Sequence, residues 1–176
     1  MASRVIPVEP FDLVVFGGTG DLARRKILPG LYRRFVAGQI PDTSRIIGAA
    51  RGEMDDAGFR GLVADTLGEF LPAAKRDGDT VARFLAHLHY VPLDAKGEGG
   101  WDGLARLVRR DVVQAFYFSV APVLFGDLAE RLHRFRIAAP DARIVVEKPF
   151  GRDLESARAL NATLAEHFDE GQIYRI

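Results

Sequence analysis

The sequence predicts an α/β protein built on one doubly wound parallel sheet with helices on both faces. Two observations carry this prediction: short apolar runs alternate along the chain with amphipathic stretches, and the first apolar run is closed by a glycine-rich turn. The 176 residues suffice for one domain, and their composition, 48% hydrophobic and 27% charged, is that of an ordinary globular protein. We therefore expect a single domain over residues 1–176.

The first three elements form a complete strand–helix–strand unit. Residues 11–16 (Phe-Asp-Leu-Val-Val-Phe) are a mainly apolar run, typical of a strand buried on both faces. Apolar residues then recur at helical spacing over residues 21–37, which predicts an amphipathic helix bent near Pro29. Gly38 ends this helix, and residues 45–50 form a second β-like run. The order is that of a Rossmann-like βαβ unit.

The alternation of strands and helices continues to the end of the chain. Pro92 has no N–H for a ladder hydrogen bond, which weakens the prediction of the third strand, whereas Asp153 is a suitable N-cap for the last helix. We expect helices over residues 56–71, 79–88, 101–109, 122–135 and 154–168, and strands over residues 90–94, 115–120 and 143–146.

Charge and composition exclude several kinds of function. The 24 basic and 24 acidic residues balance, so no global field draws the chain to nucleic acid or to an anionic membrane. No apolar run approaches the roughly 18 residues that are needed to span a bilayer. The absence of cysteine excludes disulfides and thiolate chemistry and agrees with a cytoplasmic location. Because His87, His89, His133 and His167 lack metal-ligand spacing and a partnering carboxylate motif, we expect no metal site.

The glycine-rich turn is the first candidate site. Residues 17–23 (Gly-Gly-Thr-Gly-Asp-Leu-Ala) match G-x-G-x-x-A from Gly18, and they lie between a predicted strand and a predicted helix, which strengthens the match. Glycines let the backbone approach a pyrophosphate, the helix supplies unpaired N–H groups, and Thr19 adds a hydroxyl donor. The alternative is a tight turn that binds nothing.

The residues after the second strand indicate which dinucleotide is bound. An acidic residue there takes the ribose 2′-hydroxyl of NAD, whereas an arginine favours the 2′-phosphate of NADP. Arg51 follows this strand, and its planar guanidinium can donate paired hydrogen bonds to phosphate oxygens. Glu53 lies two residues further on, so NAD use stays open beside NADP. A solvated surface role is the alternative for Arg51.

Three segments of the sequence resemble the glucose-6-phosphate dehydrogenase family in their order and separation. They are Gly-Gly-Thr-Gly-Asp-Leu-Ala-Arg-Arg-Lys at 17–26, Glu-Lys-Pro-Phe-Gly-Arg-Asp-Leu at 147–154 and Gln-Ile-Tyr-Arg-Ile at 172–176. The first occurs in other dinucleotide binders, whereas the second followed by the third is highly specific. The resemblance covers essentially the whole chain and implies NADP-dependent oxidation of glucose 6-phosphate to 6-phosphogluconolactone, the entry step of the pentose phosphate pathway.

The resemblance also implies roles for individual residues. Asp94 and Ala95 are expected near the adenine half of the cofactor, and Tyr117 along the bound cofactor, with a core tyrosine as the alternative. Lys148 is expected to contact both substrate and cofactor, aimed inward by a cis peptide bond before Pro149. Arg51 corresponds to the 2′-phosphate ligand, and the pyrophosphate turn corresponds to Gly17, Gly18, Thr19, Gly20, Asp21, Leu22, Ala23 and Arg24.

The family pattern continues beyond the point at which this sequence ends. After Tyr-Arg-Ile the family proceeds with Asp-His-Tyr-Leu-Gly-Lys, and this sequence ends at Ile176. The resemblance implies that the catalytic base and the substrate and dimerisation domain lie outside residues 1–176, that the isolated chain lacks turnover, and that the full-length protein is a homo-oligomer. Two other hypotheses are a short-chain dehydrogenase or epimerase, which needs a Tyr-x-x-x-Lys pair not found in this sequence, and a non-catalytic nucleotide-binding or redox-sensing module.

Overall fold

Six parallel strands form one sheet in the computed structural model, which describes residue 6 and residues 8–176. The strands are β1 (Phe11–Phe16), β2 (Arg45–Ala50), β3 (Leu88–Pro92), β4 (Val113–Phe118), β5 (Arg143–Val146) and β6 (Ile173–Arg175). Their order in the sheet is β3-β2-β1-β4-β5-β6, and every pair is parallel. The predicted doubly wound sheet is confirmed, while residues 1–5 and 7 of the predicted domain lie outside the described residues.

Helices cover both faces of the sheet, as predicted. They are α1 (Leu28–Val36), α2 (Asp56–Phe70), α3 (Gly78–Leu85), α4 (Trp101–Leu107), α5 (Phe125–Arg134) and α6 (Leu154–Ala165), and short 3₁₀ turns lie at Ala73–Lys75, Pro122–Leu124 and Glu170–Gln172. In the described part of the chain, none of the helices has the length and apolar character that crossing a membrane requires.

Two large apolar cores lie between the sheet and the two helix layers, and a smaller third cluster packs the start of the first helix against β1. Beneath α1, α2 and α3, the buried rings of Tyr32, Phe59 and Phe84 pack with β2 and β3. Beneath α4, α5 and α6, Trp101 and Leu128 are buried with side chains of β1, β4 and β5. The strand β2 is buried on both faces, whereas the burial of β4 alternates, so that one face of this strand stays partly exposed.

Strand pairing explains where the prediction and the structure differ. The third and fourth strands begin two residues earlier than predicted, because Leu88 pairs with Ile46 and Val113 pairs with Phe11. The sixth strand was not predicted, since β6 has only three residues and lies at the edge of the sheet. The remaining strands, β1, β2 and β5, have the predicted bounds.

The first helix is irregular directly before Pro29. Residues Ala23–Ile27 form a π-helical turn, in which the N–H of Leu28 donates to the carbonyl of Ala23, five residues earlier. Pro29 has no N–H to offer the carbonyl of Arg25 four residues before it, so the regular helical pattern cannot run through this point. The irregularity therefore lies one turn earlier than the predicted bend at the proline.

A buried ion pair holds the amino-terminal edge of the sheet. Asp12 of β1 is fully buried, and its carboxylate accepts hydrogen bonds from the backbone N–H of Arg109 at 2.7 Å and from the Arg109 guanidinium at 2.6 and 3.1 Å. The same guanidinium donates to the carbonyl of Thr43 at 2.7 Å. The pair thus links β1 to the segments that enter β2 and β4.

Candidate functional site

The glycine turn after β1 fits closely between the ends of the two neighbouring strands. Gly17 has a φ of 77°, and its N–H donates to the carbonyl of Ala49 at 2.8 Å. A Cβ atom on Gly17 would lie 2.1 Å from the carbonyl oxygen of Ser119, which follows β4, and one on Gly18 would lie 2.9 Å from the Cα of Gly48. Both positions therefore require glycine, the first for its φ and the second for its closeness to β2.

The helix that follows the turn begins with unpaired N–H groups. Its first hydrogen bond joins the N–H of Arg24 to the carbonyl of Gly20 at 3.0 Å, so the helix offers no acceptor to the N–H groups of residues 21–23. No side chain caps this start among the described residues. In contrast, aspartate side chains cap α2, α3 and α6, and these are Asp55, Asp77 and Asp153. The uncapped start is suited to an anionic ligand.

A cavity of about 590 Å³ lies beside this turn, at the carboxyl ends of β1 to β4. This volume is in the range of ligand sites in proteins, and the carboxyl edge of a doubly wound sheet is where such sites lie. Four loops line it: Gly17, Thr19 and Gly20 after β1, Arg51 and Gly52 after β2, Asp94, Ala95 and Lys96 after β3, and Val120 and Ala121 after β4. The sequence-predicted Gly17, Thr19, Gly20, Arg51, Asp94 and Ala95 are therefore brought together.

Arg51 lies on the cavity with its side chain exposed. In the part of the chain that the structure describes, no carboxylate lies within 4.0 Å of its guanidinium. The hydroxyl of Tyr90 in β3 lies 3.1 Å from the carbonyl oxygen of Ala50 and 2.6 Å from that of Gly52, the two neighbours of Arg51. Glu53, the residue that kept NAD use open, is exposed and is not part of the cavity lining.

The side chains of the first helical turn face away from the cavity. The Arg24 guanidinium lies 3.2 Å from the Glu69 carboxylate and donates to Thr66 at 3.5 Å, both on α2. Asp21 pairs with Arg25 at 2.7 Å, and this hydrogen bond raises the pKa of Arg25 above its ordinary value. This pairing offsets the charge of a carboxylate that would otherwise repel an anion at the helix start. None of residues 21–24 is among those that line the cavity, so the cofactor contacts expected of Asp21, Leu22, Ala23 and Arg24 stay predictions.

Tyr117 and Lys148 lie outside this cavity, at the ends of β4 and β5. The Tyr117 hydroxyl donates a short hydrogen bond to Glu147, and burial, together with this bond, raises the pKa of Tyr117 above its ordinary value. Lys148 follows β5 with its side chain exposed, and its N–H donates to the carbonyl of Ile176 at 2.8 Å. The peptide bond between Lys148 and Pro149 is cis, as expected.

The four histidines have partners that sequence spacing did not reveal. His89 lies 2.9 Å from the carboxylate of Asp56, which also accepts from the Tyr90 N–H at 2.8 Å. His87 contacts the carbonyl of Ser44 at 2.8 Å, and the rings of His133 and His167 lie 5.8 Å apart. Among the described residues, no three metal-ligating side chains cluster so as to hold a metal ion.

Sequence reasoning missed several residues that line the cavity, and three of them belong to loops that enclose it. Lys96 adds a second cation to the loop after β3, and Val120 and Ala121 form the wall after β4. The signal for them was available, because the loops at the carboxyl ends of adjacent parallel strands meet at one edge of a sheet. Predicting these residues required the strand bounds and order that the structure supplies.

Comparisons with known proteins agree with this geometry. A family model described as "Glucose-6-phosphate dehydrogenase, NAD binding domain" matches residues 14–176. The glucose-6-phosphate 1-dehydrogenase of Rhizobium meliloti (strain 1021) is 47% identical over 178 aligned residues, which are 100% of this chain and 36% of the relative. That of Gluconobacter oxydans (strain 621H) is 47% identical and is matched over 96% of this chain and 35% of the relative. The chain thus spans about 36% of the length of these relatives.

Solved structures give the same result. A glucose-6-phosphate 1-dehydrogenase from Mycobacterium avium is 33% identical with a TM-score of 0.87, over 96% of this chain and 36% of that one. A glucose-6-phosphate dehydrogenase in complex with its substrate glucose-6-phosphate is 29% identical with a TM-score of 0.84, over 100% of this chain and 37% of that one. In both, the similar region is one part of a longer chain.

Proposed function

Because this chain belongs to the glucose-6-phosphate dehydrogenase family through that family's NAD-binding domain, we propose that it is the part of such an enzyme that binds NADP. The observation that carries the proposal is the pairing of two features on one cavity. An uncapped helix start follows the glycine turn, and Arg51, which has no ion-pair partner within residues 8–176, lies at the end of the next strand. The first suits a pyrophosphate and the second suits a 2′-phosphate.

The cofactor is proposed to lie across the carboxyl ends of the strands. Its pyrophosphate meets the backbone of residues 17–24, where the unpaired N–H groups of residues 21–23 and the helix dipole favour negative charge. The 2′-phosphate meets Arg51, whose planar guanidinium donates two parallel hydrogen bonds to phosphate oxygens. The adenine half lies along Asp94 and Ala95, which line the same cavity. NAD, which lacks the 2′-phosphate, would bind more weakly.

The reacting end is proposed to lie beyond this cavity, toward β4 and β5. NADP supplies the hydride acceptor, and glucose 6-phosphate loses the hydride from its anomeric carbon and a proton from the hydroxyl there, giving 6-phosphogluconolactone. Lys148 is proposed to hold a substrate oxygen near the cofactor, since a compact ammonium donates several hydrogen bonds. Tyr117 is proposed to flank the cofactor with its ring. We assign no catalytic base within this chain.

The proposal for the whole protein follows from the length of its relatives. Residues 1–176 would be the dinucleotide-binding domain, and the catalytic base, the substrate-phosphate ligands and the dimerisation surface would belong to a further domain, because the chain spans only 36% of its relatives. The full-length protein would be a cytoplasmic homo-oligomer of the pentose phosphate pathway that acts on a small molecule and binds neither nucleic acid nor membrane. The balance of 24 basic and 24 acidic residues within this chain supports the last point for this part of the protein.

Calorimetric titration of this chain with NADP and NAD in parallel tests the proposal. NADP should bind more tightly than NAD. Arg51→Ala should weaken NADP binding by roughly ten- to hundredfold, because hydrogen bonds to a charged group contribute about 1.5–3 kcal/mol. NAD binding should be unchanged by this substitution, because NAD has no 2′-phosphate.

Arg110→Ala is the matched control, since this exposed arginine precedes β4 at the opposite end of the strands. Its affinity for both nucleotides should equal that of the unsubstituted chain. Equal losses of NADP and NAD binding in Arg51→Ala would contradict the role of Arg51. Failure of both nucleotides to bind at millimolar concentration would contradict the cofactor assignment for this chain. Turnover of glucose 6-phosphate by this chain alone would contradict the proposal that the catalytic base lies in a further domain.

A further inference from the structure

The hydroxyl of Tyr90 holds the backbone on both sides of Arg51. It donates to the carbonyl of Gly52 at 2.6 Å and lies 3.1 Å from the carbonyl of Ala50. The ring is 6% exposed and packs against Phe59 of α2 with the ring centres 5.3 Å apart. The hydroxyl is therefore attached to a rigid part of the core, while the turn that it holds is exposed.

The turn has few other means of fixing the position of Arg51. The carbonyl of Ala50 also accepts from the N–H of Leu93 at 2.8 Å, which anchors the end of β2. Beyond Arg51, Gly52 and Glu53 are exposed and lie outside helices and strands. The Arg51 side chain has no ion-pair partner among the described residues, so the direction of its guanidinium depends on the backbone below it.

We propose that Tyr90 is a positioning residue that sets the preference for NADP over NAD by holding the Arg51 turn at the edge of the cavity. This inference rests on the proposed function, in which Arg51 binds the 2′-phosphate. In this proposal Tyr90 contacts no cofactor atom and acts only through its hydrogen bonds to the backbone carbonyls of Ala50 and Gly52. Its loss lets the turn sample other conformations, and binding must then restrict them again, which weakens the contact with the 2′-phosphate alone.

The chemistry of the hydroxyl suits a permanent anchor. Burial raises the pKa of Tyr90 above its ordinary value, so the phenol stays protonated and remains a donor throughout the neutral range. An unperturbed tyrosine titrates near pH 10, and the pKa of Tyr90 is higher still. The effect of Tyr90 on cofactor preference should therefore be the same at every pH between about 6 and 9.

Tyr90→Phe is the direct test, because it removes the hydroxyl and keeps the ring in the core. NADP binding should weaken by about fivefold, the effect expected for loss of one buried hydrogen bond, and NAD binding should stay unchanged. Tyr32→Phe is the matched control: Tyr32 is buried in the same core and donates its hydroxyl to the carbonyl of Lys75 at 3.2 Å, away from the cavity. It should leave both affinities unchanged.

Two further variants separate a positioning role from general loss of structure. In the Arg51→Ala background, Tyr90→Phe should cause no further loss of NADP binding, because the residue through which it acts is gone. Gly52→Ala in the Tyr90→Phe background should recover part of the preference, since a Cβ on Gly52 meets only the Tyr90 hydroxyl, at 3.8 Å, and alanine restricts the turn.

The outcomes are distinct. Equal weakening of NADP and NAD in Tyr90→Phe, or an undiminished preference for NADP, overturns the inference while the proposed function stands. Absence of any NADP preference in the unsubstituted chain overturns the proposed function, and this inference falls with it. Selective loss of NADP affinity that vanishes in the Arg51→Ala background supports both.

Discussion

Removal of Arg109 is expected to destabilise the chain more than removal of its partner Asp12. Arg109→Ala leaves the Asp12 carboxylate, which is 0% exposed, with the backbone N–H of residue 109 as its remaining donor in this pair. Breaking a buried ion pair from one side costs about 3–5 kcal/mol. The Arg109 side chain is 24% exposed and still bonds Thr43, so after Asp12→Ala it can reach water. We expect that variant to cost about 1–3 kcal/mol.

Urea unfolding measures both changes in the free energy of unfolding. The fluorescence of Trp101, the one tryptophan of the chain and fully buried, reports on the core beneath α4, and circular dichroism reports on the helices. Arg110→Ala is the control, because the neighbouring arginine is exposed and its side-chain hydrogen bond to the carbonyl of Arg136 is open to replacement by water; its effect should stay within about 0.5 kcal/mol. If Arg109→Ala costs no more than Arg110→Ala, or less than Asp12→Ala, the argument from burial is refuted.

Two further predictions concern the glycine turn and a helix cap. Gly17→Ala should abolish NADP binding and destabilise the fold, because its Cβ would lie 2.1 Å from a backbone carbonyl oxygen. Gly30→Ala in α1, where the Cβ meets nothing within 4 Å, should instead stabilise the fold by about 0.5–1 kcal/mol. Calorimetry and urea unfolding compare the two variants, and normal NADP binding by Gly17→Ala would contradict the turn assignment. The N–H of Ser156 lowers the pKa of the Asp153 carboxyl, so the stability from this cap is present above the unfolded-state pKa and is lost as the pH falls through the lower folded-state pKa. Asp153→Asn should therefore flatten the dependence of stability on pH below about pH 4, and an unchanged profile in urea unfolding would count against this reasoning.

The fold was predictable wherever a segment carries its own pattern. Residues 11–16 and 45–50 are apolar runs bounded by glycine or polar residues, and their strands have the predicted bounds. The beginnings of β3 and β4 depend on pairing with strands far away in the sequence, and both were displaced by two residues. The three-residue β6 is a strand only because it lies beside β5, which local sequence does not reveal. The family, identified from the segments at 17–26, 147–154 and 172–176, is confirmed.

In the site, too, features set by local sequence could be predicted, and features set by distant residues could not. Gly17 and Arg51 could be predicted to meet, since both follow adjacent parallel strands, and they line one cavity. The ion pair between Arg24 and Glu69 joins residues 45 positions apart. No local sequence pattern could therefore predict that the Arg24 side chain packs on α2 and does not line the cavity. The same holds for Tyr90, which is 38 positions from Gly52. The cofactor roles of the individual residues stay predictions until binding is measured.

The carboxylate of Asp56 has a consequence for contacts between copies of the sheet. The free edge of β3 would offer backbone donors to a strand from another molecule, which is how sheets extend into aggregates. The N–H of Tyr90 on this strand is already bonded to Asp56, and Pro92 at its end has none. The β3 margin of the sheet is therefore a poor template for edge-to-edge growth.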